Sequence, residues 1–131
     1  MIIQYENKAE HLGGLLKLHE KRLRNERLTS LSIVYCSIRT IGELPAFSCT
    51  STLQSLKINY CELSSLVGVE QLANLTELEV KYNNICSIGP ISKLQHLVKL
   101  NLIGNPVCED REDYAHLLQE TAPHLRSING E

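Results

Sequence analysis

Apolar residues recur at fixed intervals along most of the chain. Segments that begin at Leu53, Leu75 and Leu97 follow one another every 22 residues, and an earlier copy begins 25 residues before Leu53, at Leu28. Repetition at such a period is typical of proteins built from stacked structural repeats. Aligning the copies gives these columns: Leu28, Leu53, Leu75 and Leu97; Leu31, Leu56, Leu78 and Leu100; Ile33, Ile58, Val80 and Leu102; Cys36, Cys61, Asn83 and Asn105; Ile38, Leu63, Ile85 and Val107.

Each copy predicts a short strand followed by a bend and tight turns. In the L-x-L core, side chains alternate between the two faces of a strand, so the leucines share one face. One repeat cannot bury them, and we expect neighbouring repeats to do so by stacking, with the strands in a parallel sheet. The Asn or Cys column follows the strand, where a small polar side chain can bond unpaired backbone groups. Beyond it the apolar residues come every three, which favours 3₁₀ turns.

The spacing L-x-x-L-x-L-x-x-N/C-x-L over about residues 28–128 resembles the leucine-rich-repeat family. Within that family it is similar to the short-repeat class that includes a phosphatase-regulatory leucine-rich protein and the bacterial internalins. The resemblance implies an α/β fold. It implies a right-handed solenoid with a parallel sheet on its concave side, 3₁₀ turns on its convex side and helical caps.

The chain divides into four repeats, residues 28–107, between two caps. Residues 108–131 predict a C-terminal cap with a helix that buries Tyr114, Leu117 and Leu118 and ends before Pro123. This segment resembles the cap of the splicing U2 A-prime protein and of acidic nuclear phosphoproteins. Residues 1–27 predict an N-terminal cap, either an amphipathic helix with Leu12 to Leu23 as its apolar stripe or a degenerate repeat.

The composition of the chain excludes several classes of function. The chain has 131 residues, a formal charge of −2 and no apolar run of membrane-spanning length, so we expect one domain that binds neither membrane nor nucleic acid. Five cysteines without a C-x-x-C pair favour reduced thiols, and therefore a cytoplasmic or nuclear protein. Nucleotide-binding and hydrolase motifs are missing from the sequence. We expect no enzyme, no cofactor, no metal and no small-molecule substrate.

The concave face is the candidate site for a partner protein. Tyrosine recurs there directly after three strands, and strands about 4.8 Å apart would place these rings side by side. The alternative is that the rings only pack on one another and cover backbone. We expect Lys57 to pair with Glu79 and Glu77 with Lys99, on a four-stranded face about 15 Å wide. The candidate residues are Tyr35, Tyr60, Tyr82, Val34, Lys57, Asn59, Glu77, Glu79, Lys81, Lys99, Asn101 and Ile103.

The pattern and the resemblance predict a protein–protein interaction module. It would act as an adaptor or as a regulatory or inhibitory subunit of an enzyme, and a bacterial effector or effector-regulator falls within this hypothesis. Two alternatives follow from the same family: a ribonucleoprotein or nuclear component, and a structural ciliary subunit. A basic inner face would favour the first alternative, and an inner face without an apolar patch would favour the second.

Overall fold

A parallel sheet organises the protein. The computed structural model describes residues 2–6, 29–35, 38–41, 52–109 and 111–130. Within these residues the sheet has six strands, each hydrogen-bonded to the next in chain order. The strands are β1 (Ile2–Glu6), β2 (Ser30–Val34), β3 (Ser55–Asn59), β4 (Glu77–Glu79), β5 (Lys99–Asn101) and β6 (Ser127–Ile128). The predicted parallel sheet is confirmed.

Two of the six strands were not predicted. In β1, Ile3 pairs with Leu31, and in β6, Ile128 pairs with Leu100. The expected width of about 15 Å is therefore wrong, because six strands span about 24 Å. The proposed helical stripe from Leu12 to Leu23 lies outside the described residues.

The leucine columns form the core. Leu31, Leu56, Leu78 and Leu100 lie in register on consecutive strands, and each is at most 1% exposed. A fully buried leucine stabilises a fold by about 1.5–3 kcal/mol relative to an exposed one. A column therefore stabilises the structure only when its strands are stacked in this register.

The side of the core opposite the sheet consists of tight turns. The described 3₁₀ helices are Val69–Gln71, Gly89–Lys93 and Pro106–Cys108. Val69 and Ile91 point into the core from the first two, which contact each other. The three-residue spacing of apolar positions therefore predicted the turn type correctly.

A helix from Arg111 to Thr121 covers the C-terminal end of the core. Tyr114 and Leu118 are buried beneath it, and Leu125 and Ile128 pack against the same core after the helix has ended. Leu117 is 38% exposed, so its predicted burial is wrong. It follows Tyr114 by three residues, which turns it to the edge of the buried stripe.

Buried asparagines hold the bends that follow the strands. The Asn83 side-chain oxygen accepts hydrogen bonds from the Cys61 and Leu63 amides, and its nitrogen donates to the carbonyls of Ile58, Val80 and Lys81. Asn105, one repeat later, repeats this pattern toward Ile85, Val80 and Leu102. Cys61 occupies the same column and its thiol donates to the Asn59 carbonyl at 3.1 Å. Cys36 lies outside the described residues.

Replacing Asn83 tests this arrangement. Asn83→Ala removes five side-chain hydrogen bonds to backbone groups, four of them buried. The Val80 carbonyl still accepts from Asn105, which leaves three buried groups without their side-chain partner, and each unsatisfied group costs about 1–3 kcal/mol. We expect a loss of at least about 3 kcal/mol in the free energy of unfolding, measured by urea denaturation followed by circular dichroism. The exposed neighbour Asn84 is the matched control, and Asn84→Ala should change stability by no more than about 0.5 kcal/mol. Equal effects of the two substitutions would contradict the assigned role.

Candidate functional site

The candidate residues lie along one face of the sheet, on the side away from the leucine core. We call this side the open face; it consists of the residues between and directly after the core positions of β2 to β6. Strand register aligns them in rows, such as Ser55 with Glu77 and Lys99, and Lys57 with Glu79 and Asn101. The structure therefore brings the predicted site residues onto a single surface.

Three tyrosines form a stacked ladder along one edge of the open face. The ring centroids of Tyr35 and Tyr60 are 5.2 Å apart, and those of Tyr60 and Tyr82 are 4.7 Å apart with planes 12° from parallel. The tyrosines are 40%, 45% and 45% exposed. The side-by-side arrangement predicted from the repeat is confirmed, and the ladder remains accessible at its outer edge.

Each tyrosine of the ladder adopts a left-handed backbone conformation. The φ angles are 58° at Tyr35, 55° at Tyr60 and 56° at Tyr82. The equivalent position in the next repeat is Gly104, with φ of 81°. A residue with a Cβ pays about 1–2 kcal/mol for this conformation, whereas glycine adopts it freely. The bend thus requires a conformation that suits glycine, and three of its four copies carry tyrosine instead.

Gly104 makes room for the last ring of the ladder. A Cβ atom built on Gly104 would lie 2.3 Å from Cδ1 and 2.8 Å from Cε1 of Tyr82. The Tyr82 ring thus covers the place where a fourth side chain of the column would begin. Beside it, Ile103 is 37% exposed. The ladder therefore ends in an apolar surface made by Tyr82 and Ile103.

The predicted ion pairs across β4 are wrong in their partners. The Lys57 ammonium lies 3.6 Å from the Glu77 carboxylate, and the Lys81 ammonium lies 4.0 Å from the Glu79 carboxylate. Register puts Lys57 opposite Glu79, but the Asn59 amide donates to Glu79 at 2.8 Å. Glu79 is thereby held between Asn59 and Lys81, and Lys57 reaches diagonally to Glu77 instead.

Asn59 has a structural role that the sequence did not reveal. Besides its bond to Glu79, its side-chain oxygen accepts from the Lys81 amide at 2.8 Å. It thus joins β3 to the end of β4 from the open side. Asn101, by contrast, uses its oxygen locally, accepting from the Ile103 amide at 3.1 Å.

Stacking changes the acidity of the central tyrosine. Desolvation, followed by the neighbouring hydroxyls of Tyr82 and Tyr35, raises the pKa of Tyr60 above its ordinary value of 10.0. Ionising one phenol would place a negative charge in a row of rings about 5 Å apart. Tyr60 therefore holds its proton more tightly than an isolated tyrosine does.

A cavity of about 950 Å³ lies at the C-terminal end, between the helix and β6. The Tyr114 hydroxyl is buried there beside Cys108 and Asn129, outside good hydrogen-bond geometry, and burial raises the pKa of Tyr114. Cys108 donates its thiol proton to the Leu102 carbonyl at 3.1 Å, and burial raises its pKa as well. A thiol with a raised pKa is a poor nucleophile at neutral pH.

Neither a three-residue metal site nor a membrane-spanning helix is present in the described part of the chain. It contains no group of three His, Cys, Asp or Glu side chains placed to hold a metal ion. It also contains no helix that is both long and apolar enough to cross a bilayer. Comparison with protein-family models and with curated proteins finds no match to this chain.

Replacing Gly104 tests the close fit of the ladder. Gly104→Ala introduces a Cβ into the Tyr82 ring and strains a φ of 81°, so we expect a loss of about 1–3 kcal/mol in stability. Near-ultraviolet circular dichroism should change as well, because Tyr82 must move. Gly89→Ala is the control, since its nearest neighbour would be 4.0 Å away. An unchanged tyrosine spectrum in Gly104→Ala would show that the ring does not rest there.

Alkaline titration tests the shifted pKa of Tyr60. Its folded pKa lies above the unfolded value of 10.0, so the folded state holds the proton more tightly. The corresponding stability is fully present below pH 10 and is lost as pH rises through the folded pKa. We expect Tyr60→Phe to lose less stability than the wild type between about pH 9 and pH 11, measured by urea denaturation at each pH. Parallel pH profiles would contradict this expectation.

Proposed function

We propose that this chain is a leucine-rich-repeat solenoid that binds another protein through its open face, which would be the concave side. Its role would be that of an adaptor or of a regulatory subunit. The proposal is supported by the in-register leucine columns, the 3₁₀ turns and the exposed tyrosine ladder on six parallel strands. It assigns the chain no catalytic step.

The left-handed tyrosines carry the proposal. Three such residues cost about 3–6 kcal/mol in backbone strain, at about 1–2 kcal/mol each. Two stacked pairs return about 1–3 kcal/mol, at about 0.5–1.5 kcal/mol each. Stacking alone therefore does not offset the strain, although glycine at the same place in the fourth repeat avoids it. Strain kept in an exposed aromatic row favours a binding role.

The size of the open face also supports a protein partner. Six strands give a surface about 24 Å wide, compared with about 15 Å for four. Stable interfaces bury about 600–1,000 Å² on each partner. The longest strands have five residues, or about 17 Å, so the sheet provides part of this area and the ladder and turns at its edge must provide the rest.

The charge of the open face does not favour RNA as the partner. Among its described residues, Lys57, Lys81 and Lys99 face Glu77 and Glu79, and two of the three lysines lie within 4.0 Å of a glutamate. Nucleic-acid surfaces carry a basic excess that attracts phosphates. A structural role without a binding surface would not require exposed, strained tyrosines.

Replacing the ladder tests the proposal. A variant with Tyr35→Asn, Tyr60→Asn and Tyr82→Asn keeps residues that tolerate the left-handed conformation but removes the rings. We expect its free energy of unfolding to stay within about 1 kcal/mol of the wild type. We also expect it to lose the protein that the wild type retains from a lysate of its source. Val67→Ser is the control, because Val67 is 60% exposed and lies outside the open face.

Two outcomes would contradict the proposal. If the triple variant loses several kcal/mol of stability, the ladder is a structural element rather than a binding site. If the folded triple variant and Val67→Ser both retain the wild-type partner, binding occurs elsewhere on the molecule.

A further inference from the structure

The C-terminal half of the open face contains a shallow hollow over β4, β5 and β6. Its volume is about 270 Å³. Lys99, Asn101 and Ser127 line it from the β5 and β6 side, and Glu77 and Glu79 line it from β4. The hollow lies on the surface that carries the tyrosine ladder, so it belongs to the same proposed interface.

On the β5 side of the hollow, two hydrogen-bond donors have no acceptor among the described residues. Lys99 is exposed and has no carboxylate within 4.0 Å among the described residues, unlike Lys57 and Lys81. The Asn101 side-chain oxygen is used by the Ile103 amide, whereas its NH₂ group has no acceptor within that part of the chain. Residues two apart on a strand have side chains on one face and Cα atoms about 6.6 Å apart, so Lys99 and Asn101 are neighbours on the open face.

The two glutamates of the hollow do not satisfy these donors. Glu77 is paired with Lys57 at 3.6 Å, and Glu79 accepts from Asn59 at 2.8 Å and lies 4.0 Å from Lys81. Each carboxylate is thus balanced by a lysine of β3 or of the end of β4. The remaining charge at the hollow is that of Lys99, so the site is complementary to an anionic, acceptor-rich group.

An apolar surface lies in the turn just after β5. Ile103 follows Lys99 by four residues, which is at most about 13 Å along the chain. It is 37% exposed and lies beside Gly104, over which the Tyr82 ring rests. In an extended segment, side chains four residues apart share a face, so one short segment can reach both Lys99 and Ile103.

We infer that the hollow over β5 holds an Asp or Glu side chain of the partner protein. An aromatic or aliphatic side chain about four residues away in the same extended segment then packs on Ile103 and Tyr82. Lys99 and Asn101 donate to the carboxylate. The inference rests on the proposed function and specifies the chemistry of the partner.

Selection of displayed peptides tests the inference. Random 12-residue peptides on phage are selected against the immobilised full chain and against Lys99→Glu, Lys99→Gln and Lys93→Glu. Lys93 is an exposed lysine on the turn side of the core and serves as the matched charge control. We expect the wild type and Lys93→Glu to enrich an acidic residue about four positions from an aromatic or aliphatic one. Both Lys99 variants should lose the acidic preference.

A synthetic copy of the enriched peptide gives the size of the effect. We expect its dissociation constant to rise at least about tenfold with Lys99→Glu, because attraction becomes repulsion. Replacing its acidic residue by the amide should weaken wild-type binding severalfold. Binding unchanged within about twofold in Lys99→Glu would overturn the inference, as would enrichment of basic or uncharged peptides. If no peptide is enriched, the inference is overturned too. A partner that binds through its C-terminal carboxylate would give this result, because displayed peptides have no free C-terminus.

The triple asparagine variant separates the two proposals. If the enriched peptide loses binding to that variant but keeps its affinity for Lys99→Glu, the open face binds protein and only the carboxylate site is wrong. If it keeps its affinity for both, both proposals fail.

Discussion

The hydrogen bonds of buried asparagines at the strand ends govern much of this structure. Asn83 and Asn105 can satisfy the backbone of the preceding repeat only when the chain turns sharply just before them. The residue at that turn adopts a positive φ in every described repeat, namely Tyr35, Tyr60, Tyr82 or Gly104. A side chain in this conformation no longer follows the alternation of side chains between the two faces of the strand. It lies at the edge of the sheet. The requirements of the core thus create the row of positions that the tyrosines occupy.

The division between core and open face explains where sequence can vary. The leucine columns are nearly identical from strand to strand because each must fill the same space against its neighbours. Residues on the open face contact fewer atoms, so their replacement costs little stability. They change from serines on β2 to glutamates on β4 and to Lys99 and Asn101 on β5, within one unchanged scaffold. In the proposed role, a partner would therefore be recognised by residues that the fold does not prescribe.

The repeat spacing predicted the core columns, the turn type and the tyrosine row, because all three follow from positions that recur every 22 or 25 residues. It did not reveal β1 or β6, whose paired residues Ile3 and Ile128 lie 28 residues from Leu31 and Leu100 and so fall outside those spacings. The repeat spacing also did not predict the partners of the ion pairs. A long side chain can reach neighbours on several strands. Lys57 is opposite Glu79 in register, but Asn59 donates to Glu79 and Lys57 pairs with Glu77.

The charges of the open face bear on how it could select a partner. Each glutamate of β4 is balanced nearby, so these pairs contribute little net field and a partner must satisfy or displace them to bind over β3 and β4. A partner without matching groups would leave these charges desolvated and unpaired, and its binding would be weaker. Stacking on the ladder is tolerant of sequence, since many apolar groups can cover a tyrosine ring. In the proposed role, the charged rows would therefore discriminate among partners, and the ladder would supply contact area that different partners could share.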